Sequence, residues 1–302
     1  MSSAAAHERV TAGSIALLLL VGISWGLNWP AVRVLLHDLP PWTLRGTSLL
    51  LGSLGMLTVC LVTGTSLRVP RREIGAVVAT GLLTVFAFNI LITFGQLNAP
   101  TAQVAIVAFT MPAWAALLAR PILGEPLTVR KLLALALGLT GLALLLGDRS
   151  GPQDGSLGLG FGVLGAIAWA SGTVLTKKLR IDVPPLALAF WWLLVSAIPA
   201  LLIGWTTEAG VAWSGLPLAT WGVLAFHVAL PMVFGYAAWS VLVRRLPAGT
   251  AALGTLLVPV VGVTSAALLL GEPMTWRNLS ALALVLTGLA LVLLHSNTRP
   301  GT

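Results

Sequence analysis

Ten times along the chain, a run of apolar residues is followed by a short polar joint: at 13–36, 40–62, 73–96, 100–121, 129–147, 157–177, 185–205, 217–243, 247–270 and 277–296. About 20 apolar residues in a helix cross a hydrocarbon core of roughly 30 Å, so the pattern predicts an all-α polytopic membrane protein of ten transmembrane helices. The first run continues through Trp25, Asn28 and Pro30 to Leu36. That is too long for the apolar region of a signal peptide, and the run is read as a mature span.

The pattern also repeats. Leu123–Leu146, LGEPLTVRKLLALALGLTGLALLL, returns as Leu270–Leu293, LGEPMTWRNLSALALVLTGLALVL, identical at 18 of 24 positions. The same offset of 147 residues carries Pro100 onto Pro247 and Pro112 onto Pro259. The chain therefore reads as an internal duplication, with a first five-helix repeat in 1–148 and a second in 149–302. Units with an odd number of spans sit upside down relative to each other in a bilayer. Two inverted repeats are expected.

Composition removes the soluble alternative. Hydrophobic residues make up 57% of the chain and charged residues 9%, with a mean hydropathy of +0.97, which leaves too little polar surface for a soluble domain of this length. The single cysteine, Cys60, permits no intrachain disulfide and reads as a small buried hydrophobe. A net charge of +8 would suggest nucleic acid in a soluble protein, but here the cations fall in the joints. Thirteen Lys and Arg, among them Arg9, Arg68, Arg130, Lys177, Arg244 and Arg299, fall on one side. Only Arg149 and Arg277 fall on the other. The positive-inside rule then puts both termini in the cytoplasm, and the short loops without a sorting signal make a bacterial inner membrane the expected location. The expected partners are the lipid bilayer and a small-molecule substrate, with no nucleic acid and no obligate protein partner.

Polar groups are costly in hydrocarbon, so those within spans usually face other helices or a wet cavity. Their spacing puts them in stripes. Trp25, Asn28 and Trp29 share a face of the first span; Phe86, Asn89, Thr93 and Gln96 share one in the third; Gln103, Thr110 and Trp114 lie along the fourth. In the sixth, Trp169 and Thr173 are one turn apart. In the eighth, His227 precedes Pro231 by a turn, with Tyr236 and Trp239 sharing a face beyond it. Together these would line a substrate cavity with aromatic walls and sparse amides and hydroxyls. Pro112, Pro231 and Pro259 are candidate hinges.

For any one of these residues, packing between helices competes evenly with substrate contact. A hydrogen-bonded neutral imidazole is the plainer reading of His227. Trp42, Trp205, Trp213, Trp221 and Trp276 are placed for an interfacial belt. Gly158, Gly162, Ala166 and Ala170, and likewise Ala134, Gly138 and Gly141 with Ala281 and Gly288, read as surfaces for close helix approach. Glu125 and Glu272, in the duplicated Gly-Glu-Pro turns, read as caps on the amides of the next helix. Arg33 and Arg45 lie near span ends, where long cations snorkel; an anion-attracting vestibule is the alternative. No Asp or Glu falls near the centre of a span, which disfavours obligatory coupling to protons or sodium. No Walker-type loop, HExxH or nucleophile elbow occurs, so no enzyme activity, cofactor or metal is expected.

The Trp25-Gly26 pair in the first span, its Trp169-Ala170 counterpart, and the Pro112…Gly124-Glu125-Pro126 and Pro259…Gly271-Glu272-Pro273 patterns resemble the drug/metabolite transporter superfamily, specifically its EamA-type exporters. The resemblance covers nearly the whole chain. It implies cytoplasmic termini and a central pathway formed chiefly by spans 1, 3, 4, 6, 8 and 9. Within the family the chain looks most like bacterial exporters of amino acids and related metabolites, including the YddG type associated with aromatic amino acids. Carriers of other solutes, such as nucleobases, sugars or lipophilic compounds, are the alternative. The four-span multidrug relatives rely on a Glu in the first span, which this chain lacks.

Overall fold

The computed structural model describes residues 12–146, 155–245 and 256–293, and these are helical throughout apart from short connections. Eight helices are long and apolar enough to cross a membrane: α1 Ala12–Asp38, α2 Pro41–Val62, α3 Arg71–Asn98, α4 Thr101–Leu123, α5 Val129–Leu146, α6 Ser156–Leu179, α7 Pro185–Thr207 and α8 Leu218–Leu242. Two shorter apolar helices follow, α9 Leu257–Leu270 and α10 Trp276–Leu293. The chain is a multi-pass membrane protein. The boundary at 148/149, the start of the ninth predicted span with Pro247, the end of the tenth, and Arg9, Arg149 and Arg299 lie outside the described residues.

Proline and glycine set the limits of the elements. Pro40, Pro100, Pro184 and Pro217 stand immediately before α2, α4, α7 and α8 with φ near −55° and ψ near 140°. Proline suits that place because it has no N–H to leave unpaired at a helix start. Gly124 and Gly271 end α4 and α9 in the left-handed region, at φ 72° and 66°, and Pro126 and Pro273 stop the helix from resuming.

Two helices are wound irregularly at matching places. Leu82–Ala87 of α3 and Val228–Phe234 of α8 are π-helical; adding 147 to 82 and 87 gives 229 and 234, so the widened turns fall together in the two copies. In α4 the helix breaks after Ala108 and restarts at Met111, with Pro112 in the first turn of the new segment. Pro259 likewise sits in the first turn of α9.

The predicted small-residue surfaces pack as read. A Cβ on Gly158 would lie 2.7 Å from the Ala99 nitrogen, and one on Gly162 would lie 3.2 Å from Val107. Gly141 faces Ala281 and Gly288 faces Ala134. These are exchanged partners in the repeat, since 141 + 147 = 288 and 134 + 147 = 281, and the crossed order makes α5 and α10 antiparallel. The pairs α2–α7, α1–α9 with α6–α4, and α2–α8 with α7–α3 complete a contact scheme that maps onto itself when the halves are exchanged. The surface is the reverse of a soluble protein's. Leu20, Leu61, Leu202 and Leu268 are exposed while Arg45, Ser53, Thr93, Gln96 and His227 are buried, as expected of a bundle in lipid.

Candidate functional site

The stripes of α1, α3 and α8 converge. His227 Nδ1 is hydrogen-bonded to Asn28 Oδ1, linking α8 to α1. Gln96 Nε2 donates to the Trp29 carbonyl at 2.9 Å, linking α3 to α1, and the Gln96 carbonyl accepts from Arg33. Because an amide oxygen only accepts, Nδ1 carries the imidazole proton and Nε2 remains a buried acceptor. His227, Gln96 and Thr93 are all less than 2% exposed.

Arg45 is the residue that sequence reasoning misplaced. It does not snorkel: it is 2% exposed, and its Nε donates to Thr93 Oγ1 in the middle of this cluster. Position 45 lies only a turn inside the start of α2, which made an interfacial head group the natural reading; the helix face decides otherwise. No signal in the sequence marked that face: Leu44, Ser48 and Leu49 beside Arg45 are buried only by packing in the bundle.

An aromatic group adjoins the polar one. Trp25 packs against Tyr236 and Trp239, at 6.3 and 5.6 Å between ring centroids, and donates from Nε1 to the Pro231 carbonyl at 2.9 Å. That carbonyl belongs to the π-helical turn, whose widened winding leaves it for a partner from another helix. Trp29 meets Phe109 at 6.2 Å. Phe86 meets Trp42, and so does Phe94; Trp42 was expected in the interfacial belt and instead packs on the α3 stripe. Trp205 and Trp276 are exposed, as a belt requires.

Other predicted positions lie apart from this centre. Asn89 Nδ2 donates to the Val85 carbonyl of its own helix at 2.8 Å. Trp114 Nε1 donates to Thr110 Oγ1 at 3.1 Å, and the pair borders a shallow cleft against Leu135 and Gly138 of α5 rather than facing α1 or α8. Trp169 packs edge-on against Phe88 at 5.0 Å, and Thr173 is exposed, with its hydroxyl turned back to the Trp169 carbonyl. Gln103 is buried within the first half of α4. Among the described residues no group of His, Cys, Asp or Glu is arranged to hold a metal.

Carboxylates tie the halves together at the helix ends, not by capping the next helix. Glu272 accepts from the backbone N–H groups of Thr101 and Ala102, 2.7 and 2.8 Å away, and so caps α4 from the other half. Glu208 does the same for α2, at Trp42 and Thr43. Asp38 accepts from Thr220. Glu125 pairs instead with Lys177 and, at 3.4 Å, with Lys131. The Lys177 hydrogen bond, then the two ammonium charges, hold its carboxyl below the usual carboxylate range.

The EamA-like transporter family model matches the chain twice, over residues 12–147 and 156–294. The chain belongs to this family. It is 28% identical to the uncharacterized transporter YvbV of Bacillus subtilis over 91% of its length and 90% of that protein's. It is also 28% identical to the probable amino-acid metabolite efflux pump of Escherichia coli, covering 90% of this chain and 92% of the pump. A crystal structure at 21% identity superposes with a TM-score of 0.66, covering 94% of this chain and 99% of that one. That match shows the fold. An EamA-like chain with two family repeats is a membrane transporter, and its relatives are transporters and efflux pumps rather than enzymes.

Proposed function

We propose that this EamA-like transporter exports amino acids, aromatic ones among them, or related small metabolites from the bacterial cytoplasm. Two inverted five-helix repeats, 1–148 and 149–302, rock about the α1–α3–α8 cluster so that it opens to each side in turn. Both termini lie in the cytoplasm. The observation that carries the reading is the cluster itself. Asn28, Gln96 and His227 bring uncharged donors and acceptors to the meeting of the first half with α8 of the second, beside the Trp25–Tyr236–Trp239 group. Such a site suits a small polar solute with a variable side chain. Antiparallel α5 and α10, with their exchanged Gly–Ala contacts, support inversion of the repeats. The carboxylates of the described residues sit at helix ends, which supports export without obligatory ion coupling.

The test is uptake of a labelled amino-acid panel into liposomes bearing the full chain, with and without an imposed proton gradient. Several amino acids should move down their own gradients, equally in both conditions, and Gln96→Ala or Trp25→Ala should lower the flux severalfold. Absence of flux for every amino acid would overturn the reading in favour of a nucleobase, sugar or lipophilic solute.

A further inference from the structure

Arg45 is a buried cation with no carboxylate partner among the described residues. Its Nε is satisfied by Thr93, but Nη1 has no hydrogen-bond partner among the described residues. The ion pairs among those residues are made by Glu73 and Glu125, at the end of the bundle where α3 begins and α4 finishes; Arg45 lies at the other end, where α2 begins and α3 finishes. Glu208, Glu272 and Asp38 are at Arg45's end, but they are committed to backbone amides or to Thr220. A guanidinium out of water with one of its groups unpaired is costly, and an arriving anion offsets much of that cost.

Two further groups in the same cluster are unsatisfied, and both are acceptors. Gln96 Oε1, one turn along α3 from Thr93, and His227 Nε2, on the ring that Asn28 holds against α1, are buried and without partners among the described residues. One donor cation and two neutral acceptors make the complement of a molecule that carries a carboxylate and an N–H donor. Neither helix packing nor an interfacial belt calls for that combination. The location also fits passage, since Arg45 and Thr93 come from the first half and His227 from the second.

We propose that Arg45 anchors the carboxylate of the transported solute, with Gln96 Oε1 and His227 Nε2 accepting from its amine, so that the carrier requires a free carboxylate. The guanidinium is enclosed in this structure and becomes accessible when this end of the bundle opens. The inference rests on the export of small metabolites argued above, and it adds the chemical group that admits a solute.

The experiment combines two measurements on the full-length protein. In detergent, thermal unfolding is followed with phenylalanine, phenylalaninamide, phenethylamine and the amine-free acid phenylpropionate. In liposomes, uptake of labelled phenylalanine and leucine is competed with the same compounds. Wild type, Arg45→Lys and Arg45→Gln are compared. The two acids should stabilise and compete while the amide and the amine do not, and Arg45→Gln should raise the half-effective acid concentration by about tenfold or more, the scale of one charge-assisted hydrogen bond. Arg45→Lys keeps the charge and should recover part of the effect, which separates loss of the anchor from loss of folding. Equal action of acid and amide on wild type, or no stabilisation by any acid, overturns the anchor. Acid-specific stabilisation lost in Arg45→Gln but without amino-acid flux keeps the anchor and overturns amino-acid export. Flux of amino acids and amides alike does the reverse.

Discussion

At the residue scale, membrane burial turns ordinary hydrogen bonds into constraints. Asn28 and His227 satisfy each other across two helices, so Asn28→Ala leaves a buried imidazole N–H without a partner. That should cost about 1–3 kcal/mol and appear as a lowered unfolding midpoint in detergent. Glu125 is partly exposed and held by Lys177 and Lys131, and its carboxyl lies below the usual range because of those partners. Such a depressed carboxylate contributes stability that is fully present above its unfolded value and is lost as pH falls through the folded one. The gap in unfolding midpoint between wild type and Glu125→Gln should therefore be largest at neutral pH, close as the medium is acidified below the usual carboxylate range, and shrink with added salt.

At the scale of elements, the sequence predicted most helix limits to within about two residues, because Pro40, Pro100, Pro184 and Pro217, and the glycines at 124 and 271, act locally. It also marked the small-residue faces. Gly158→Ala would place a Cβ 2.7 Å from backbone atoms of Ala99 and Gly95, whereas nothing lies within 4 Å of Gly160. Gly158→Ala should destabilise by about 1–3 kcal/mol, the usual range for overpacking, and Gly160→Ala should be neutral or slightly stabilising. The π-helical turns were not legible, because winding responds to partners on other helices: the carbonyl of Pro231 is taken by Trp25. If Pro112 and Pro259 are hinges, replacing either by Ala should slow transport with little change in unfolding temperature. Unchanged flux would assign them to packing.

The whole molecule is organised by its duplication and by its orientation. Cys60 is the chain's single cysteine and is buried, so it gives a quiet background for labelling. Ser66, between α2 and α3, and Ser214, between α7 and α8, are exposed joints that the count of basic residues puts on opposite sides. A membrane-impermeant thiol reagent applied to intact cells should label Ser214→Cys and spare Ser66→Cys; the converse would invert the topology. Glu272 and Glu208 each bind helix amides of the other half at the end where α1 finishes. The role of Glu272 was half legible: its Gly-Glu-Pro turn announced a cap, but not which helix it caps, and nothing in the sequence marked Glu208.

The sequence alone determined that the chain crosses a membrane many times, where its helices begin and end, and that its two halves are copies. Those properties depend on transfer of each residue into lipid, on local backbone rules and on identity at a fixed offset, and none requires knowing which helices touch. Tertiary structure alone decided which stripes meet. It brought Asn28 to His227 and Gln96 to Trp29, turned Thr110 and Trp114 toward α5, and drew Trp42 and Arg45 inward. The physical reason is rotation about the helix axis. In a span apolar on nearly every face, lipid and protein neighbours are chemically alike, so periodicity says little about which side faces the bundle, and only packing against a specific neighbour settles where a charge such as Arg45 comes to rest.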